Sequence, residues 1–406
     1  MNQSSSKLSF VSFVRQATCR TRFFAFVLLF VASGHTALAT TGASVPWTTY
    51  EAANMTYNGT LLGPPPQVAN NNTAPVDTVE TEAVGRQCVQ LDAQGQYVQF
   101  TAQAAANSIV VRYSVPDTAN GTGADCTLSL YQNGTFVQEL PMTSKYSWVY
   151  GSYPFDNTPS DGTPRNFFDE VRVPGLTINP GDTLTLQVGP NDTAANYVID
   201  LVDLEEVAPA LTEPAGYRNV MNYGATGNGV TDDTIAISNC VAAGGNIWFP
   251  PGNYLVTGDI DVPANTTIQG AGMWYTTFTG NPAVYTNQYR RVRFNGEGNN
   301  IHLADFSIIG KLSYRDDSEE NDGLVNMYGT GSTISRIWVE HTKVGAWLYN
   351  SQGLIVDSCR FRDTKADGIN LNLGMQGTIV TNCTTRGTGD DCFAIWPASY
   401  LSESFF

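Results

Sequence analysis

Three carboxylates crowd the last part of the chain: Asp367, within Lys365-Ala366-Asp367-Gly368-Ile369-Asn370, and the pair Asp390 and Asp391, within Thr388-Gly389-Asp390-Asp391-Cys392. The pair follows Asp367 by 23 and 24 residues, an interval that predicts one turn of a parallel β-coil with all three acids on neighbouring rungs. Rungs lie about 4.8 Å apart, so charged carboxylates stacked there repel, and repulsion raises the proton affinity of one of them. A carboxylic acid that gives its proton to a leaving oxygen, beside a carboxylate that activates water, is the equipment of glycosidic bond hydrolysis. Consecutive residues of an ideal strand face opposite ways. Asp390 and Asp391 share one site only if the backbone bends, and Thr388-Gly389 is the place for it.

The coil that must hold them is legible in the apolar spacing. With offsets of 22 and then 24, Ile337, Cys359 and Cys383 share a column, as do Val339, Phe361 and Thr385, Trp347, Ile369 and Phe393, and Tyr349, Leu371 and Ile395. Fixed apolar columns are the inward stacks of a solenoid. The same alignment places Gly345, Asp367 and Asp391 in one column, Trp347 in the core, and Cys359 beside Cys383 at a separation that permits a bridge. Upstream, Thr231 or Asp232 is expected to cap a helix running to about Ala243 that plugs the open end of the coil. Asp232 and Asp233 look like a catalytic pair, but their place at a helix start favours capping. The segment 209–215 reads as a linker, and 216–406 as the coil. From 47 to 208, short alternating runs at 97–100, 108–113, 127–131, 183–188 and 197–201, separated by turns such as Asn133-Gly134, predict an antiparallel β-sandwich in which Cys88 and Cys126 can pair. Its aromatics Trp148, Tyr150 and Tyr153 are open to two readings, sugar stacking or core. The fold class is therefore all-β, a sandwich leading into a right-handed parallel β-helix.

The whole chain has 406 residues and a net charge of −16. Such an acidic surface repels phosphate backbones, which argues against nucleic acid and leaves a neutral ligand easier to hold. The tight basic cluster after the leader is Arg290-Arg291-Val292-Arg293. Basic residues, the apolar run 23–32 and Ala37-Leu38-Ala39 read in that order as a secretory signal over 1–39, and so as an extracellular protein with no membrane span once the signal is cleaved. Sequons at Asn54, Asn58, Asn71, Asn120, Asn133, Asn191, Asn265 and Asn382 fit that route. So does the even set Cys88, Cys126, Cys240, Cys359, Cys383 and Cys392 left after Cys19. The cysteine and histidine spacing offers no zinc motif.

The runs Trp338-Val339-Glu340-His341-Thr342-Lys343-Val344-Gly345-Ala346-Trp347, Ala366-Asp367-Gly368-Ile369-Asn370 and Arg386-Gly387-Thr388-Gly389-Asp390-Asp391, with Ala394-Ile395-Trp396, resemble the glycoside hydrolase family of α-1,3-glucanases (mutanases) and mycodextranases. The resemblance implies a pectin-lyase-like β-helix after a carbohydrate-binding-like sandwich, action on α-1,3-linked glucan such as mutan or nigeran, and inversion by three aspartates that fall on Asp367, Asp390 and Asp391. By analogy Asp390 is the general acid, and Asp367 and Asp391 hold and activate the water. His341 and Lys343, or failing them a solvated edge, and Trp396 as a stacking platform are the expected sugar contacts, and the acidic loop 314–322 borders the cleft. No cofactor is required, a structural calcium has room, and the protein is expected to be monomeric. Members of the family continue past the aspartate pair, so 397–406 reads as the stump of a further coil and the chain as C-terminally truncated. Two other readings stay open: a polygalacturonase-like pectin hydrolase, and a sugar-binding protein without catalysis.

Overall fold

The computed structural model describes residues 42–65, 78–285 and 291–396. The expected leader 1–39, the sequon at Asn71, Arg290 and the stretch 397–406 lie outside the described residues. Two antiparallel sheets come first. One, with Trp47–Glu51 at its side, runs in the spatial order Asp169–Ile178, Ala106–Ser114, Tyr197–Glu205, Cys88–Leu91, Thr60–Leu62. The other orders Thr56–Tyr57, Tyr97–Thr101, Thr183–Gln187, Asp125–Gln132 and Thr135–Thr143. Val89, Ile109 and Ile199 from the first sheet meet Val98, Leu130 and Leu186 from the second in a common core. Period-two alternation puts apolar side chains into that core and polar ones outside. Yet Tyr197–Glu205 is buried along its whole length, because Ala83, Phe167 and Phe168 pack on Val198, Arg112 and the Val84 N–H hold Asp200, and the parallel coil meets Asp203 and Glu205.

The coil starts under the helix Thr234–Ala242, whose Ile237, Cys240 and Val241 enter the same core as Ile260 and Phe278. This helix begins later than the sequence reading placed it, and its first turn holds no acidic residue. Asp232 still receives the Thr234 N–H, at 3.0 Å. Asp233 turns away, accepting the amides of Thr226 and Gly227 at 2.7 and 3.0 Å. Both acids are thus structural and far along the chain from the trio.

Beyond the helix the chain winds through parallel sheets. One is a stack in sequence order of Asp259–Pro263, Arg293–Gly298, Leu324–Tyr328, Ala346–Leu348, Ile369–Leu371 and Phe393–Ile395. Its partner face carries Ile301–Ile309, Thr333–Glu340, Arg360–Arg362 and Thr384–Arg386. Aromatic rings fill the lumen, with Phe278 4.9, 4.8 and 5.1 Å from Phe249, Phe294 and Phe306. Among the described residues no helix is long and apolar enough to cross a membrane.

Two register details differ from expectation. The offset of 22 holds for Val339 opposite Phe361, but one more residue enters before the next strand, so Ala346 and not Trp347 stands opposite Ile369. A slip of one residue sends a side chain to the other face. Trp347 therefore points out of the coil, and Val344 rather than Gly345 precedes Asp367 in its column. Among the described residues the cysteines are free thiols, so neither Cys88 with Cys126 nor Cys359 with Cys383 is bridged.

Candidate active site

Each late coil turns from one sheet to the next through the same local device. A residue in the left-handed region, His341 (φ 54°), Asp363 (φ 48°) or Gly387 (φ 68°), is followed by a threonine. The hydroxyls of Thr342, Thr364 and Thr388 donate to the carbonyls of Val344, Ala366 and Asp390, each at 2.9 Å. This turn aims the residues next along the chain, which in the last two coils include the aspartates. Gly389 lies so close to the preceding rung that a β-carbon there would sit 2.3 Å from the Lys365 carbonyl oxygen. The expected bend at Thr388-Gly389 is present.

The bend gathers the trio. One carboxylate oxygen each of Asp367, Asp390 and Asp391 lies within 4.8 Å of the others. This nearest-oxygen spacing is tighter than the separation of about 6.5–9.5 Å between carboxyl groups usual for inverting pairs. Asp367 is buried. It accepts the Asn370 amide at 2.6 Å and the Asp391 N–H at 3.1 Å. Burial, more than the charges of Asp390 and Asp391, pushes its carboxyl above the ordinary range, and the Asn370 hydrogen bond works against that shift. Asp390 is half exposed and pairs with Nη1 of Arg315 at 2.9 Å.

Asp367 and Asp390 border a cavity of about 370 Å³, with Lys343, Trp347 and Trp396 on its walls. Trp396 stands 48 % exposed where a platform was expected, its ring centroid 6.2 Å from that of Trp347. Trp347, assigned to the core by the sequence, is instead a second aromatic wall. Lys343 lines the cavity too, but it is buried and donates to the Glu319 carbonyl. His341 does not reach the site: it is buried against the antiparallel unit, with Nε2 2.7 Å from Asp169 and its ring stacked on Tyr146. Its left-handed backbone turns it away from the strand that Lys343 leads into.

The loop 314–322 borders the cavity through Arg315, Asp317, Glu319, Glu320 and Asp322. It is tied to the segment 153–155 by Arg315 N–H to the Phe155 carbonyl at 2.8 Å and Asp317 N–H to the Tyr153 hydroxyl at 3.0 Å. The basic cluster of the sequence is spent here, Arg291 on Glu319 at 2.9 Å and Arg293 on Glu320 and Asp259 at 2.5 and 2.6 Å. Asp322, 3.9 Å from Lys343, is pushed up to about 6 by burial. Of the aromatics with two readings, Trp148 packs on Phe167 and Tyr150 is buried on Asp117. Arg315 and Asn370 were not singled out in advance. Asn370 lay in the quoted motif and Arg315 in the loop expected to border the cleft, but nothing local marks the pairing of Arg315 with Asp390, which the coil brings about. A larger hollow, about 660 Å³ and walled by Trp47, Trp274 and Leu211, contains none of the trio.

Sequence models of the α-1,3-glucanase catalytic domain, its parts D1 and D2, match residues 44–207 and 239–402, together well over half the chain. The chain belongs to the α-1,3-glucanase family. Among solved structures it is similar to the Agl-KA catalytic domain, at 28 % identity and TM-score 0.78 over 87 % of this chain and 64 % of that one. It is also similar to the catalytic unit of a thermostable GH87 α-1,3-glucanase from Streptomyces thermodiastaticus, at 36 % identity and TM-score 0.73 over 87 % of this chain and 61 % of that one. A GH87 α-1,3-glucanase catalytic domain in complex with nigerose is 27 % identical, with TM-score 0.73, over 87 % and 62 %. This chain thus spans less than two thirds of the solved family chains. In alanine variants of such domains solved with nigerose or tetrasaccharides, the numbering of the replaced aspartates repeats the intervals between Asp367, Asp390 and Asp391. Among curated proteins the matches are local, such as 36 % identity to the pre-neck appendage protein of Bacillus phage B103 over 23 % of this chain and 11 % of that one.

Proposed function

We propose that this chain hydrolyses α-1,3-glucosidic linkages in α-glucan outside the cell, using Asp367, Asp390 and Asp391. The observation that carries the reading is the meeting of these three carboxylates beside an aromatic-walled cavity that Asp367 and Asp390 line, supported by the matching intervals in sugar-bound relatives. The antiparallel unit is read as a sandwich and the coil as right-handed and pectin-lyase-like, in keeping with the family likeness.

In the reaction a protonated carboxyl gives its proton to the glycosidic oxygen as the bond to the anomeric carbon breaks. A carboxylate takes a proton from the water that adds to that carbon, and addition from the opposite face inverts it. Asp390 is the proposed acid, with Asp367 and Asp391 holding the water. Arg315 occupies a carboxylate oxygen of Asp390, so that ion pair must open for Asp390 to reach the glycosidic oxygen. The closeness of the trio suits a water gripped by two carboxylates rather than lodged between acid and base. One observation favours a second assignment, with Asp367 as the acid: its own proton affinity is the one raised by burial.

The test is release of reducing sugar from insoluble α-1,3-glucan, with the anomer of the first product followed by NMR. Asp390→Asn is expected to lower kcat by about 10²–10⁴-fold. Restored turnover on a substrate with an acidic leaving group would mark Asp390 as the proton donor, and the same rescue in Asp367→Asn would move that role. Glucan binding by the unaltered chain without hydrolysis would sink the proposal. Pectin is the less suitable substrate, since the acids lining the cavity, Asp317, Glu319, Glu320, Asp322, Asp367 and Asp390, outnumber its cations Arg293, Arg315 and Lys343.

A further inference from the structure

Away from the cavity, the left-handed turn residues of two successive coils, His341 and Asp363, converge with Asp169 of the antiparallel unit. All three are buried, and one donor atom from each lies within 4.8 Å of the others. Asp363 is 1 % exposed, yet neither of its carboxylate oxygens has a hydrogen-bond partner, nor has Nδ1 of His341. A buried carboxylate with both oxygens unmet is costly and calls for a proton, a water or an ion. The nearby cations hydrogen-bond elsewhere: Lys365 donates to the Tyr146 carbonyl, and Nη1 of Arg112 to Asp200 at 2.5 Å and the Glu82 carbonyl at 3.1 Å, while Nε of Arg112 is unmet and its charge offsets only part of the burden on Asp363. Glu170 and Glu340 add negative charge on the same side.

We propose that Asp169, His341 and Asp363 form a binding site for one divalent transition-metal ion, Zn²⁺ or Mn²⁺, that pins the antiparallel unit to the coil. One imidazole nitrogen with carboxylate oxygens suits such an ion at about 2.0–2.2 Å, whereas Ca²⁺ takes six to eight oxygens. Nε2 of His341 stands 2.7 Å from Asp169 Oδ1, a hydrogen bond that must give up its proton and open to the roughly 3.3 Å between two ligands of a tetrahedral ion. Movement of Asp363 toward them completes the set and satisfies the unmet carboxylate. The site is structural, and Asp363 precedes Asp367 by four residues on the same coil.

The full chain, stripped with a chelator and then dialysed against Zn²⁺, Mn²⁺ or Ca²⁺, is assayed by elemental analysis and thermal unfolding. One equivalent of Zn²⁺ or Mn²⁺ and a rise in Tm of at least about 3 °C are expected. Both should vanish in Asp363→Asn and His341→Gln, and persist when Asp390 and Asp391 are changed together to Asn, which removes the other carboxylate cluster. Unaltered protein that binds no metal while Asp363→Asn gains stability would show that Asp363 holds a proton, and would overturn the proposal. Metal lost with the Asp390 and Asp391 changes instead would place it at the trio and overturn it equally. Neither result depends on glucan hydrolysis.

Discussion

The largest influences on the charge of Asp367, burial and the Asn370 amide, oppose one another, and the second can be removed alone. Burial favours its neutral form and the Asn370 amide favours its charged form. Asn370→Ala should therefore raise the proton affinity of Asp367 further. If Asp367 works as a base, the acidic limb of the kcat/KM profile moves to higher pH, and an unmoved limb would exclude that role. Trp396 offers a different signature, because a stacking face contributes about 0.5–1.5 kcal/mol. Trp396→Ala should raise KM roughly 2- to 12-fold with kcat little changed, read from initial rates on soluble oligosaccharides. Trp347 shows why residue identity alone did not suffice. Its apolar character fits a core column as well as a sugar wall, and one residue of register decided between them.

At the scale of the element, the turn that carries the trio depends on contact between rungs. Gly389→Ala forces a β-carbon against the Lys365 carbonyl, so the last turn must shift. A displacement near 1 Å costs about 10²-fold in rate, which the same sugar-release assay measures, with circular dichroism as the check that the coil remains folded. The loop 314–322 carries a pH effect of its own. Because burial raises the Asp322 carboxyl to about 6, the folded chain holds that proton more tightly than the unfolded chain. Its stabilising effect is present below the usual carboxylate range and is lost as pH rises toward and past 6. Asp322→Asn keeps an acceptor for the Val344 N–H, 3.1 Å away, and should raise Tm at pH 7 while changing it little at pH 4. Equal shifts at both pH values would show that burial of charge is not the cause. The coil itself was legible because its apolar columns repeat at nearly one period. The helix start was not, since Asp233 serves the loop at Thr226-Gly227 rather than the helix.

Across the whole molecule, the antiparallel unit and the coil meet through charges that neither could bury alone. Glu205 grips both Nη1 and Nη2 of Arg360 at 2.8 Å, Arg386 reaches Glu170 and Asp203, and the Arg360 guanidinium lies over the rings of Trp47 and Trp338. Removing one partner of a buried pair costs about 3–5 kcal/mol. Arg360→Ala should destabilise the protein by that order in urea unfolding, and a loss under about 1 kcal/mol would mean the interface is wet. The sequence by itself determined what recurs along the chain: alternation in the first half, a coil period in the second, and three aspartates spaced to meet. Those features rest on periodicity, which a linear string preserves. Only the tertiary structure decided which way His341 faces, that Arg315 reaches Asp390, and that outward strand polars such as Glu205 and Asp203 are buried. Such contacts join residues far apart in the chain, and what fixes them is the docking of one sheet on a coil, for which no local residue pattern is a record.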